Sequence, residues 1–277
     1  MINLESIGKI IELALWSAYI KGEQPVSVLI TSQVEAGKTE LLLKYADNKG
    51  CLVLTDATAY GIMQDYGDKI AKKKIRHIII PDLIKPMSRG KDTVHGFVAF
   101  LNSLIEEGVL SISTYAQTVG VQNNSNQKLT PVKCGLITTM AKDVLLDGRH
   151  HWTKVGFMSR LVPVSYEYNI STKMSIHESI AARDYHSESK VKVDFPKEDA
   201  AVTLPIELAE VLKNLAIGLA GSVKYNPEKV YGFRLQKNLQ RLAMAQALSQ
   251  GRTTVNESDV EVIKGLSKYL NLDYTQL

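Results

Sequence analysis

The sequence predicts an α/β domain built on a parallel sheet and followed by a small α-helical lid. Three observations predict it. The apolar run "VSVLIT" (26–31) leads into Gly37-Lys38-Thr39 and then into the helical stretch "TELLLKYA", the strand–loop–helix context that a phosphate-binding loop requires. Strand-like and helix-like segments alternate over the first 165 residues, the pattern of a parallel sheet. From about residue 170 the strands stop and three helical patterns take over. The expected organisation is an α/β domain over 1–168, a connecting segment over 169–198 and a helical lid over 199–277.

Each element has its own signal. Leu4, Ile7, Ile10, Ile11, Ala14, Leu15 and Ala18 recur at helical spacing over 3–20, and Gly22 and Pro25 end that helix. After the loop come a strand "CLVLTD" (51–56), a helix-like stretch to about 70, and the apolar strand "HIIIPD" (77–82). Val94, Phe97, Val98, Leu101, Leu104 and Ile105 mark a helix over 94–107. "GVLSIST" (108–114) and "PVKCGLITT" (131–139) read as strands around the polar loop "QNNSNQK". "GFMSRLVPVSYEY" (156–168) is a turn into a further strand. The lid helices are "LPIELAEVLKNLAIGLAG", "GFRLQKNLQRLAMAQALSQGR" and "NESDVEVIKGLSKYL", the last capped by Asn256 with Asp259 as its box partner. Segment 169–198 matches no pattern.

Composition narrows the functional classes. With 277 residues, 45% of them hydrophobic and 22% charged, the chain has ample material for a core. A net charge of +4 permits a nucleic-acid partner without requiring one. Cys51 and Cys134 lie in apolar runs and read as buried free thiols; His150-His151 reads as a solvated turn. "IIELALWSAYI" is too short and too interrupted by charge to span a bilayer, and no signal peptide precedes it, so a cytoplasmic protein without a membrane role is expected.

The candidate site begins at Ser32. Ser32, Gln33, Val34, Glu35, Ala36, Gly37, Lys38 and Thr39 fill the eight-residue frame of a phosphate loop, and Glu40 follows. Such loops work because successive backbone N–H groups and the positive end of the next helix point at phosphate. Lys38 is expected at the β/γ-phosphate oxygens and the Thr39 hydroxyl on Mg²⁺. The frame's first residue is normally Gly, which allows a tight turn, and here it is Ser32. Asp82, closing the second apolar strand, is the expected carboxylate for Mg²⁺.

With these residues in place, the order of elements resembles the AAA+ ATPases, nearest the branch of MoxR-type chaperones and minichromosome-maintenance helicases. "FLNSLIEEGVLSIST" (100–114) is similar to that branch's "LLxAMEEGxVxI", and "VKCGLITT" occupies its sensor strand. "FMSRLVPV" places Arg160 at its arginine finger, and "RLQKNLQRLAMAQA" (234–247) places Arg234 at its sensor-2 position, with Arg241 one heptad on. "GRTTVNESDVEVI" is similar to its closing "GRxxVTxxDVxxA". The resemblance implies ATP and Mg²⁺ as ligands and a homo-oligomer (ring, spiral or filament) in which the finger acts on a neighbour's nucleotide. It also implies a macromolecular partner, DNA or protein. Without the resemblance, Arg160 reads as a surface arginine beside a strand and Arg234 as an exposed helix-start residue.

Two departures bear on chemistry. The family's water-activating Glu follows the magnesium Asp, but here Leu83 stands there and the next carboxylate is Asp92. The family's polar sensor-1 residue falls at Thr138, Thr139 or Ala141, of which Thr139 is the hydrogen-bonding candidate. The expectation is a nucleotide-dependent switch or loader with weak or no unaided hydrolysis, and a Glu restored at 83 as its test. An active motor using Asp92, Glu35 or a neighbour's carboxylate, and an adaptor that only keeps the fold, remain open. For DNA, "QNNSNQK" offers one lysine and no aromatic, with Tyr115 nearby; "KKKIR" (72–76) and "KPMSRGK" (85–91) are basic runs that read equally as solvated faces.

Overall fold

Strands covered on both faces need no polar alternation, which is why the strand segments are continuous apolar runs. In the computed structural model, which describes residues 3–109, 131–184, 190–224 and 230–272, five such strands form one sheet. They are β1 (Val28–Ser32), β2 (Cys51–Val53), β3 (His77–Ile80), β4 (Gly135–Ala141) and β5 (Val162–Ser165). Their order is β2-β3-β4-β1-β5, with every pair parallel. Register sorts side chains to the two faces: Val28, Ile30, Ile79, Ile137, Val162 and Val164 join one core cluster, and Leu29, Ile78, Ile80, Leu136 and Met140 the other.

The helices divide between those faces. α1 (Glu5–Ser17) and α2 (Lys38–Leu43) belong to the first, and the later helices α8 (Ile206–Gly221), α9 (Phe233–Ser249) and α10 (Glu257–Ser267) join the same cluster by packing on α1 and on one another. α3 (Ala59–Ala71), α5 (Lys91–Asn102) and α6 (Lys142–Lys154) cover the second. The short α4 (Ile84–Met87) precedes α5, and a π-helical turn, Ser103–Glu107, extends it. Leu13 is fully buried although the helical stripe of the sequence omits it, because α1 packs on α9 and α10 as well as on the sheet. The Asn256–Asp259 capping box is present at α10, and Arg252 pairs with the buried Asp259 at 2.5 Å.

Several expectations shift. The stretch expected to run as "TELLLKYA" is helical for six residues only, then turns. His150 and His151 lie inside α6, not in a turn, and the His151 ring stacks on His95 at 4.6 Å. Cys134 is a buried free thiol and Cys51 a half-buried one; burial raises both, Cys51 to about 12. The segment that matched no pattern carries α7 (Ile170–Ala181) and an extended strap from 190 to 204. Asn48 brackets the strap at Val191 O and Val193 N, Phe195 stacks on Tyr19 at 4.7 Å, and Arg76 reaches Asp199 at 2.7 Å. The hairpin expected between 108 and 139 falls largely outside the described residues; of it, Val109 pairs antiparallel with Val132. Among the described residues, no helix is long and apolar enough to cross a membrane.

Candidate functional site

The phosphate-type loop leaves the carboxyl end of β1, between β4 and β5, where chain order reverses across the sheet. Ligands of parallel α/β sheets sit outside the strand carboxyl ends at such points. Ser32 closes β1 in register with Ala141, is 2% exposed, and donates its hydroxyl to Tyr166 O at 2.8 Å. Its φ is not positive. The left-handed positions are Gly37 (φ 72°) and Glu35 (φ 64°), so the turn is made further along and position 32 does not require glycine. Glu35, a non-glycine in that region, costs roughly 1–2 kcal/mol, which the surrounding contacts offset.

The loop is held from beneath by a feature the sequence reading did not assign. Tyr166 and Tyr168, following β5, both donate their hydroxyls to Ala36 O, at 2.6 and 3.0 Å. The legible signal was the Tyr-Glu-Tyr alternation, which puts both rings on one side of an extended segment. With Ala36 O fixed, the N–H groups of residues 33–37 donate to no acceptor among the described residues. That is the donor set an anion requires. Lys38 instead donates to its own loop, to Ser32 O at 3.0 Å and to Gln33 O. Burial lowers the Lys38 ammonium and the Asp82 charge raises it, which sets Asp82 electrostatically opposite Lys38. Thr39 and Glu40 are exposed at the start of α2, as are Gln33, Val34 and Glu35 on the loop.

Asp82 and Leu83 part company. Asp82 is half-buried and its Oδ1 accepts from Ile84 N at 3.0 Å. Leu83 has no exposure at all and packs in the cluster with Ile80, Phe97 and Leu101. Its side chain therefore belongs to the core and not to the loop. Thr138 and Thr139, both buried, donate to Ile80 O (2.8 Å) and Pro81 O, latching the carboxyl ends of β3 and β4 together. Asp92 lies in the first turn of α5.

Arg160 and Arg234 lie elsewhere, and together. Arg160 stands just before β5 and Arg234 in the first turn of α9. Glu106 receives both: its carboxylate takes Arg234 Nε at 2.9 and 3.0 Å and lies 2.8 Å from Arg160 Nε. Arg160 also donates to Glu107 Oε1 and Gly156 O, both at 2.8 Å, and Arg234 to Ser159 Oγ at 3.0 Å. Burial raises the Glu106 carboxyl, but the Arg234 hydrogen bond and the Arg234, Arg160 and Lys237 charges outweigh it and hold it low. These groups line a cavity of about 370 Å³ with Pro25, Lys133 and Arg241. Pro25, Lys133 and Arg160 precede β1, β4 and β5, so this cavity is at the amino ends of the strands. The loop is at the carboxyl ends; β4 alone, with seven residues, rises roughly 20 Å between them.

A second cavity, of about 760 Å³, adjoins the loop through Tyr166 and Tyr168 and is lined also by Asn3, Asn169, Tyr269 and Asn271.

Comparison with solved structures decides what this architecture is. A candidate ATPase from Cytophaga hutchinsonii superposes with a TM-score of 0.51 at 12% identity, over 98% of this chain and 82% of that one. A full-length MCM homologue from Methanopyrus kandleri superposes with a TM-score of 0.55 at 14% identity, over 98% of this chain and 56% of the other. The chain shares with both the α/β fold expected of it, a five-stranded parallel sheet with helices on its two faces. No protein-family model matches the chain, and no curated protein matches it in sequence. The likeness is therefore one of fold.

Proposed function

We propose that the chain binds ATP with Mg²⁺ at the loop of residues 32–40 and uses the bound nucleotide to assemble head to tail with further copies. The observation that carries this reading is the placement of the parts at opposite ends of one parallel sheet. Loop donors lie at the carboxyl ends and the arginine pair at the amino ends. Arg160 and Arg234 are then too far from their own loop to touch its phosphates, and a second copy can supply them. Assembly of this heterologous kind yields a ring, spiral or filament.

Residue by residue, the free N–H groups of 33–37 and Lys38 take the β- and γ-phosphates, and Lys38 exchanges its loop carbonyls for them. Thr39 and Asp82 would hold Mg²⁺, which would supply positive charge to neutralise the phosphates. Thr139, buried behind the site, fixes the strand end that presents Asp82. The nucleoside is placed in the cavity beside Tyr168 and Tyr269. The neighbour's Arg160 and Arg234 meet the terminal phosphate. Beside Arg234, Tyr231 and Phe233 are 71% and 69% exposed and stack on one another at 5.6 Å, an apolar surface suited to cover by that neighbour.

Unaided hydrolysis is weak or absent, because the residue after Asp82, where a water-activating carboxylate is expected, lies in the core. A nucleotide-set switch or loader on DNA or on a protein complex fits this arrangement. Most of the hairpin expected to touch such a partner lies outside the described residues.

Particle mass, measured with and without a non-hydrolysable ATP analogue, tests the proposal. Nucleotide-dependent growth is expected for the natural chain, and none for Lys38→Ala or for Arg160→Ala with Arg234→Ala. Growth that ignores Lys38 overturns it.

A further inference from the structure

The cavity at the amino ends of the strands holds more positive charge than its carboxylate balances. Lys133, Arg160, Arg234, Lys237 and Arg241 line it against Glu106 alone. Arg241 has its own partner outside, Glu23 at 2.8 Å, and Arg160 shares Glu107. Lys133 and Lys237 make no ion pair within 4 Å among the described residues, although Glu106 feels the Lys237 charge. Arg234, Lys237 and Arg241 recur at three and seven residues along α9, on the face turned to the cavity. Two guanidiniums thus converge on one oxyanion, with two further ammonium groups beside it. Guanidinium forks bind carboxylate and phosphate in the same way, and phosphate brings more charge.

We propose that this cavity is a second phosphate site, in which Lys133 and Lys237 are ligands alongside Arg160 and Arg234, and Glu106 is the internal anion that an arriving phosphate displaces. In the free chain Glu106 keeps the arginines paired and ordered. A phosphate group exceeds it in charge and in acceptor oxygens, and the two lysines, which make no ion pair among the described residues, make up the difference. At about 370 Å³ the cavity is at the small end of ligand sites, sized for a phosphate terminus and not for a whole nucleoside triphosphate. The phosphate comes from a nucleotide carried by a second copy or from a nucleic-acid backbone. Only the first source rests on the function proposed above.

Inorganic tripolyphosphate is the probe, titrated calorimetrically into the Lys38→Ala chain so that the loop is disabled. Binding is expected, weakened about tenfold by adding Lys133→Ala and Lys237→Ala, and strengthened several-fold by adding Glu106→Gln. The melting temperature of each variant is followed, and the lysine pair, which makes no ion pair among the described residues, is expected to leave it unchanged. Binding that is absent, or indifferent to both lysines, overturns the proposal. Displacement of tripolyphosphate by the nucleotide-loaded natural chain assigns the phosphate to a second copy; displacement by a single-stranded oligonucleotide assigns it to a backbone. Lysine-dependent binding in a chain that never assembles with ATP upholds the cavity and removes only the assembly reading.

Discussion

At position 83 one side chain separates two ideas about catalysis. A glutamate there is the test the sequence suggests for a missing water-activating base, but Leu83 packs among Ile80, Phe97 and Leu101 with no exposure. Leu83→Glu puts a carboxylate into an apolar cluster, where it protonates or drags the strand end open. A loss of roughly 3–5 kcal/mol in urea unfolding is expected, with no gain in phosphate release. A folded Leu83→Glu chain that hydrolyses ATP would show that β3 can turn its end toward the loop. His77 is a second residue whose burial has a consequence. Burial holds its imidazole down at about 4, with the Arg76 charge acting the same way and the hydrogen bond to Val26 O opposing both. Between pH 6.5 and 4 the unfolded chain takes up a proton that the folded chain refuses, so stability is full above 6.5 and falls as pH falls. From pH 6.5 to 5, above the carboxylate range, the unfolding free energy is expected to drop by up to about 1.4 kcal/mol per pH unit. A flat profile across that window contradicts a buried neutral His77.

Among the elements, the loop between β1 and α2 depends on the tail of β5. Its geometry comes from two left-handed residues and from Tyr166 and Tyr168 clamping Ala36 O, not from its first position. Replacing both tyrosines by Phe keeps the rings and removes only the hydroxyls. Each lost bond is worth about 1 kcal/mol, so nucleotide affinity is expected to fall roughly tenfold or more with every loop residue intact. Titration with a fluorescent nucleotide checks it, and unchanged affinity means the loop holds its shape alone. The loop, its flanking strand and helix and the Asp82 strand were legible because each is a local pattern. Of the tyrosine clamp only the Tyr-Glu-Tyr alternation was legible, because its target lies 130 positions away and is reached only when β5 lies next to β1.

For the whole molecule, separating the loop from the arginines makes a mixing experiment decisive. Lys38→Ala keeps the arginine face, and Arg160→Ala with Arg234→Ala keeps the loop. Neither is expected to assemble alone with an ATP analogue. Mixed, they can form one competent contact, so mass measurements are expected to show heterodimers and no further growth. If the arginines served the loop of their own chain, mixing would restore nothing. The same scale explains α1, whose apolar residues exceed one helical stripe because helices from the far end of the chain cover its second side.

Taken alone, the sequence determined the α/β class, the residue frame from Ser32 to Thr39 between a strand and a helix, and Asp82 at the end of an apolar strand, while Arg160 and Arg234 were picked out by family resemblance only. The class, the loop frame and the Asp82 strand end follow from short-range periodicity and from residue types at fixed spacing, which local sterics and burial dictate. Only the tertiary structure decided that Leu83 is core, that Tyr166 and Tyr168 clamp the loop, and that both arginines close on Glu106 at the far end of the sheet. Those outcomes depend on which strands lie side by side and in which direction they run. Strand order is settled by long-range packing, so no local pattern carries it.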